Sequence, residues 1–476
     1  MTRASGKRSA KDRDIGGPSR QGLRTPLGSD LTRQDRRRAC ALAVLAFVVY
    51  NANLRAVSSG DCFPARFLPF SILKTGSVNL EPLVDAVRQG HKDPYWLQKS
   101  IGGHWVSLFP IVAPVLVTPL YVPAAIAVQR AGWRRSYLDA VAELMEKISG
   151  SAIASLSVAF VYLLVRRRLS PGRAVLLTAA YAFGTSTWVT GSQALWQHGQ
   201  AELLVAGALL LVTREPTGMR AFAIGAACAL GAMNRPPDIV LFAPIALEAV
   251  LRTSWKGPLL RAGVAGAVIA AAPFLAYNIA AFGLPGGGYQ VLYLHASGRD
   301  AIVLRASLFP ALSGMLFSPA KGLFFFSPFL LFLAGRLKKD AQEGLADRRL
   351  SLLLGAGVVT QILLYTRTEW RGGYSFGPRY LVDLLPILVF LLAPVVAALG
   401  RRGLVAFALS AALGAGFQAV GAFCYPKGLS DLVVYCDGPG SPKMDVWSLS
   451  RSPVVLEAQA GMAPMTFAAY ARDALR

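Results

Sequence analysis

Twelve apolar stretches alternate with short polar turns along most of the chain. They fall at about 40–56, 107–128, 146–166, 174–192, 200–214, 221–233, 238–252, 262–283, 317–335, 350–366, 381–399 and 403–423. A straight membrane span uses roughly 20 apolar residues, and several of these are shorter. The turns carry the orientation. Arg166-Arg167-Arg168, Arg214 to Arg220, Arg252 to Arg261, Arg336 to Arg349 and Arg401-Arg402 are basic, as cytoplasmic loops are. With the N-terminus inside, all five agree only if one early stretch does not cross. The stretch at 107–128 holds Pro110, Pro114, Pro119 and Pro123, each of which removes a backbone donor and kinks a helix. The pattern therefore predicts an all-α integral membrane bundle of about eleven spans, N-in and C-out, with a re-entrant or interfacial segment at 107–128.

Three regions follow. Residues 1–38 have almost no large apolar side chains and read as a disordered basic cytoplasmic tail. Residues 39–425 form the transmembrane domain. Within it, 57–145 is a large first extracytoplasmic loop, where Tyr137, Val141, Leu144 and Ile148 recur at the spacing of an interfacial helix. Residues 426–476 are a short extracytoplasmic tail.

Composition agrees. The chain has 476 residues, 54% hydrophobic and 16% charged, against about a quarter charged in soluble domains. Its mean hydropathy is +0.45. The net charge of +23 resides in short loops between apolar stretches, so no nucleic-acid partner is expected. Cys40 and Cys228 read as small core residues. Cys424 and Cys436 are near enough in sequence to pair if their segment lies outside. No cysteine spacing suggests zinc.

The predicted topology puts most candidate chemistry on the outer face. Asp61 follows the first span closely. It can take a proton from a substrate hydroxyl or hold a cation, or it can cap a helix or pair with Arg55 or Arg66. The segment Glu369 to Tyr380 combines three glycines with Arg371, Tyr374 and Arg379, suiting close approach to a phosphate or a sugar face, or an aromatic belt. Arg235, in the Asn234-Arg235-Pro236-Pro237-Asp238 turn, sits between short spans and should be sunk below the surface, pairing with Asp238 or serving a site. His198, beside Trp196, and His104 are further substrate-side candidates. Lys321 reads as an interfacial anchor or a lipid-phosphate contact. The spans themselves read as nearly free of acids.

Taken in order, Asp61, Phe109 to Pro114, Trp196 to Gly199, Asn278 with Phe282-Gly283 and Gly288-Tyr289, Ser318 to Phe324, and Trp370 to Tyr380 resemble bacterial membrane glycosyltransferases of the GT-C superfamily. The likeness is to those built like protein O-mannosyltransferases and aminoarabinose transferases, and it covers about 40–425. The resemblance implies a polyprenyl-phosphate-linked sugar as donor, transfer with inversion, and an acidic residue of the first outer loop as the catalytic or metal-binding group. Asp61 matches that position. Arg66, His104, His198, Arg235, Arg371, Tyr374 and Arg379 are the candidates for the donor phosphate and substrate. This chain has one acid there rather than a pair, so a divalent cation, held by Asp61 if at all, is not required by the pattern. The implied setting is the inner (plasma) membrane among membrane lipids, with the active face extracytoplasmic and the acceptor an envelope glycan, lipid or protein. The alternatives are a polyprenyl-lipid or solute transporter or flippase, and a noncatalytic subunit of an envelope-polymer assembly machine.

Overall fold

The computed structural model describes residues 31–84, 93–253, 257–299, 307–338, 345–425, 430–431, 445–467 and 470. Apart from one short hairpin, the regular elements among these residues are all helices. In chain order the elements are α1 (Arg33–Asn51), α2 (Phe63–Thr75), β1 (Leu97–Lys99), β2 (Trp105–Ser107), α3 (Val112–Val117), α4 (Val122–Arg130), α5 (Arg135–Arg166), α6 (Pro171–Phe183), α7 (Gln197–Val212), α8 (Gly218–Asn234) and α9 (Ile239–Thr253). Then come α10 (Pro258–Phe282), α11 (Gly287–Arg299), α12 (Leu308–Phe317), α13 (Leu323–Phe326), α14 (Leu345–Tyr365), α15 (Leu385–Ala398), α16 (Arg401–Cys424) and α17 (Pro453–Ala460). β1 and β2 pair antiparallel, Gln98 opposite Val106.

Among the described residues, four helices are long and apolar enough to cross a membrane by length and composition: Val112–Arg130, α5, α10 and α16. Their outer faces carry large apolar side chains in the open. Val268 and Ile269 on α10 and Leu409 on α16 are each more than half exposed. A surface of that kind in a helical chain belongs against lipid or another apolar partner. α8 and α10 pack backbone to backbone. A Cβ on Gly225 would collide with the Gly263 carbonyl, and one on Gly266 with that of Phe222. Small residues at such crossings let helices approach closely.

Several expectations are corrected. Residues 33–38 belong to α1 rather than to a disordered tail. The Thr32 hydroxyl accepts from the Asp35 amide (3.1 Å), the Asp35 carboxylate accepts from the Thr32 amide (3.0 Å), and Asp35 pairs with Arg166 at 2.8 Å. This is a capping box that starts the helix early. The stretch 134–147 is not a separate interfacial helix. It runs straight into the next apolar stretch as the single 32-residue α5, because no breaker stands between them. Gly150, where a break might be sought, is held by backbone packing on Ala194. In 107–128 the prolines cost one 3-10 turn at Thr118–Tyr121 between α3 and α4. The rod as a whole stays helical for 19 residues. The segment between the apolar stretches 262–283 and 317–335 holds two helices, α11 and α12. Conversely, 317–335 is not one regular span: Pro319 and Pro328 split it into α13 and a 3-10 stretch, Pro328–Lys338. Cys436 lies outside the described residues, and Cys424 is a free thiol.

The basic turns gather at one end of the bundle. Arg167 donates to the Thr213 carbonyl (2.8 Å), Arg168 pairs with Asp347 (3.1 Å), and Arg252 and Arg349 share Glu248 (2.7 and 2.8 Å). The ends of α1 and α8 and the starts of α7 and α15 meet at the opposite end. There the C-terminal tail folds back: the Phe467 amide donates to the Leu54 carbonyl and the Tyr470 hydroxyl to Glu143.

Candidate functional site

At that opposite end a chain of polar side chains runs from the surface into the core. Asp61 stands in the turn between α1 and α2, its side chain 22% exposed. Its Oδ1 accepts from the Tyr95 hydroxyl at 2.9 Å, and its Oδ2 is ion-paired with Nη2 of Arg379. Gly60 makes room for this contact, since a Cβ there would stand 2.5 Å from the Tyr95 oxygen. Burial pushes the Asp61 carboxyl up, but the Arg379 charge and the Tyr95 hydrogen bond outweigh it and leave it below its ordinary value. Tyr95 moves the other way: burial and then the Asp61 charge raise its hydroxyl. Asp61 is therefore a carboxylate at neutral pH and Tyr95 a fixed donor.

Arg379 lies 4.5 Å over the Trp196 ring, and its Nε donates to His198 Nε2 at 3.3 Å. A guanidinium can only donate, so His198 Nε2 is an acceptor. The imidazole is then neutral with its proton on Nδ1, which donates to Asp383 Oδ1 at 2.9 Å. Asp383 Oδ2 accepts from Arg235 Nε at 2.9 Å. Arg235 also reaches Asp238 Oδ1 (3.4 Å), the Tyr289 hydroxyl (3.2 Å) and the Tyr365 hydroxyl. The Tyr289 hydroxyl donates to Gln197 Oε1 (2.6 Å), and Gln361 donates to Asp238 Oδ1 (2.8 Å). The stacked rings of Tyr365 and Tyr380, 4.5 Å apart, flank Arg235. Two guanidinium groups thus face three carboxylates, and exposure falls from Asp61 at the rim to Asp383, which is fully buried.

Local sequence explains the placement. Gly372, Gly373 and Gly377 all adopt positive φ, the conformation that favours glycine. They coil 369–380 tightly enough to drive Arg379 inward. Lys321 braces this coil from within, donating to the Ser375 carbonyl at 2.5 Å. It is buried, so it is neither a surface anchor nor a lipid contact. Arg235 follows α8 and precedes Pro236-Pro237, whose lack of N–H groups ends the helix there. As expected, the turn is sunk and Arg235 reaches Asp238.

Asp61, His198, Arg235 and Arg379 are therefore brought together. The other candidates are not. Arg66 pairs with the buried Glu146 and donates to Ser58 (2.6 Å). Together with Arg55, Ser58 and Glu143 it lines a separate polar cavity of about 230 Å³. His104 sits on Glu81 at 3.1 Å, well exposed. Arg371 is held by Glu369, and Tyr374 points outward, half exposed. Sequence reasoning missed Asp383, Tyr95, Tyr289 and Tyr365. Asp383 did carry a signal, being an acid inside the apolar stretch 381–399. The belief that the spans are nearly free of acids is also corrected: Glu146, Glu202 and Glu248 are buried on α5, α7 and α9. Glu202 accepts from Thr187 (2.5 Å) and Tyr181 (3.2 Å) beside a π-turn at Thr187–Gly191.

No group of three His, Cys, Asp or Glu side chains converges among the described residues. Asp61 has a guanidinium and a hydroxyl donor as its neighbours, so this donor set does not fit a divalent cation. Compared with protein-family models, with curated proteins and with solved structures, the chain matches none.

Proposed function

We propose that this protein is an inner-membrane transferase that moves a sugar from a polyprenyl-phosphate donor to an envelope acceptor with inversion. The observation that carries the reading is the Asp61–Arg379 pair, a carboxylate and a guanidinium side by side at the open end of a buried relay. Without donor, Arg379 is occupied by Asp61. A donor phosphate offers the guanidinium a second anion with matching geometry, and its arrival frees Asp61. The acceptor hydroxyl oxygen then attacks the anomeric carbon opposite the phosphate, and Asp61 takes its proton. The bond from the anomeric carbon to the phosphate oxygen breaks, and its electron pair stays on the phosphate, where Arg379 faces it. His198, Asp383 and Arg235 hold Arg379 in place. One displacement inverts the centre.

The proposed setting is about eleven spans, N-in and C-out, with the basic end cytoplasmic and the Asp61 end extracytoplasmic. Detergent-purified chain given a radiolabelled polyprenyl-phosphate sugar and cell-envelope acceptors should form labelled product. Asp61→Asn should slow this by about 10²–10⁴, the range for a general base. An Asp61→Asn protein with full transfer activity would sink the assignment.

A specific observation favours a transporter as the second reading. Glu146, Lys147 and Glu202 are buried within helices, the pattern of ion pathways and proton relays. Substrate flux into vesicles with no covalent product would select it.

A further inference from the structure

At the basic end, away from Asp61, a cavity of about 370 Å³ opens between α8, α9 and α10. Small residues make it. Ala229 on α8, Ala246 on α9 and Ala267 on α10 line it and leave space that larger side chains would fill. Its wall on α8 runs from Arg220 to Ala232, roughly 18 Å at the helical rise. One leaflet of a bilayer's hydrocarbon is about 15 Å deep, so the groove matches a single acyl chain in length. Among the described residues its charged lining groups are Arg214, Arg220 and Arg252, all at one end.

These cations are short of anions. Arg214 and Arg220 make no salt bridge among the described residues, and the Arg220 guanidinium donates to the Glu215 carbonyl, at 2.6 Å. Burial and then the like charges of Arg220 and Arg36 all push the Arg214 guanidinium down, as they would in a patch awaiting a counter-charge. Arg252 shares Glu248 with Arg349, and its buried Nη2 has no hydrogen-bond partner.

We propose that this groove binds an anionic phospholipid, one acyl chain lying along α8 between α9 and α10 and the phosphate held by Arg214, Arg220 and Arg252. Charge complementarity selects this occupant over a neutral lipid: an apolar slot alone would take any chain, but a net negative headgroup also satisfies the orphaned guanidinium. The inference rests on the membrane-spanning reading and is independent of transfer activity.

The test uses the full chain in detergent, titrated with dioleoylphosphatidylglycerol and separately with dioleoylphosphatidylcholine. Bound lipid is counted by native mass spectrometry, and thermal midpoints are read from tryptophan fluorescence. The anionic lipid should bind on the order of tenfold more tightly and raise the midpoint. The pair Arg214→Gln with Arg220→Gln should erase that preference. Ala246→Leu, which narrows the slot but keeps the charges, should weaken both lipids. Equal binding of the two lipids, or a preference that survives the double substitution, overturns the inference. A chain recovered in the aqueous fraction without detergent overturns the membrane reading itself.

Discussion

Asp383→Asn is the sharpest probe of the buried relay, because both of its partners are donors. The His198 tautomer requires Nδ1–H to point at Oδ1, and Arg235 Nε–H points at Oδ2. An asparagine keeps one acceptor oxygen and places an NH₂ against the other donor, so one contact fails whichever way the amide turns. The attraction lost is large. At 2.9 Å an ion pair is worth on the order of 6 kcal/mol gross at an effective dielectric constant near 20. Breaking one side of a buried pair costs about 3–5 kcal/mol net. Asp238, 3.4 Å from Arg235, takes up part of the stranded charge, which favours the lower end.

Asp238→Asn is the control. Its Oδ1 accepts from Gln361, and its Oδ2 has no hydrogen-bond partner. The amide oxygen can keep the Gln361 bond, and removing one of three carboxylates leaves two to balance two guanidinium groups. The assay is the thermal midpoint of each full-length variant in the same detergent. Asp383→Asn should fall by roughly 6 °C, taking about 3 kcal/mol at the low end of the size scaling, and Asp238→Asn by far less. Equal losses in the two variants would refute both the tautomer assignment and the charge count.

Three further outcomes follow from the same geometry. Asp61 is depressed in the folded chain relative to about 3.9 unfolded, so its contribution to stability is full above that value and is lost as pH falls through the folded pKa. A midpoint-versus-pH curve should be flat in this respect at neutral pH. Arg379→Gln, which leaves burial opposed by the Tyr95 hydrogen bond, should move the acid limb upward; an unmoved limb counts against the pair. Gly225→Ala should destabilise by about 1–3 kcal/mol through overpacking on the Gly263 carbonyl. Gly416→Ala on α16, where a Cβ meets nothing, should be neutral or stabilising by up to ~1 kcal/mol, and midpoints read side by side decide it. Tyr95→Phe should cost little stability, because the Tyr95 side chain is more than half exposed and its bond is screened. It should nevertheless shift the Asp61 acid limb upward, in the same sense as Arg379→Gln but by less.

The helical character of the chain and the positions of most segments were legible because apolar runs and basic turns are local signals. α10 and α16 begin and end within a few residues of the predicted stretches. Proline was the less reliable sign. Three prolines left Val112–Arg130 helical with one tight turn, whereas Pro319 and Pro328 broke a run that composition alone makes look continuous. The difference lies in what surrounds the missing N–H groups: Pro114, Pro119 and Pro123 fall where helical turns begin or tighten, and at Ser318-Pro319 a hydroxyl competes for the backbone. Ser318 Oγ does this, accepting from the Lys321 amide at 3.0 Å.

The site divides along the same line. Asp61, Arg235, His198 and Arg379 stood out because each is a polar residue at a turn. Their convergence spans 318 residues between Asp61 and Arg379, and no local pattern encodes that separation. Asp383 was hidden by its neighbours: Leu381, Val382, Leu384 and Leu385 made it look like the polar edge of a span. An acid there is costly unless paired, and a buried arginine in another turn faces the same cost. The same turn offers Arg235 a local partner in Asp238, 3.4 Å away. The observed geometry gives it a nearer carboxylate on α15's approach and leaves Asp238 to Gln361. A buried cation with a weak local partner is thus a reason to search the apolar segments for an acid at similar depth. Glu146 opposite Arg66 and Glu248 opposite Arg349 obey the same rule, each an acid inside an apolar stretch answered by an arginine distant in sequence.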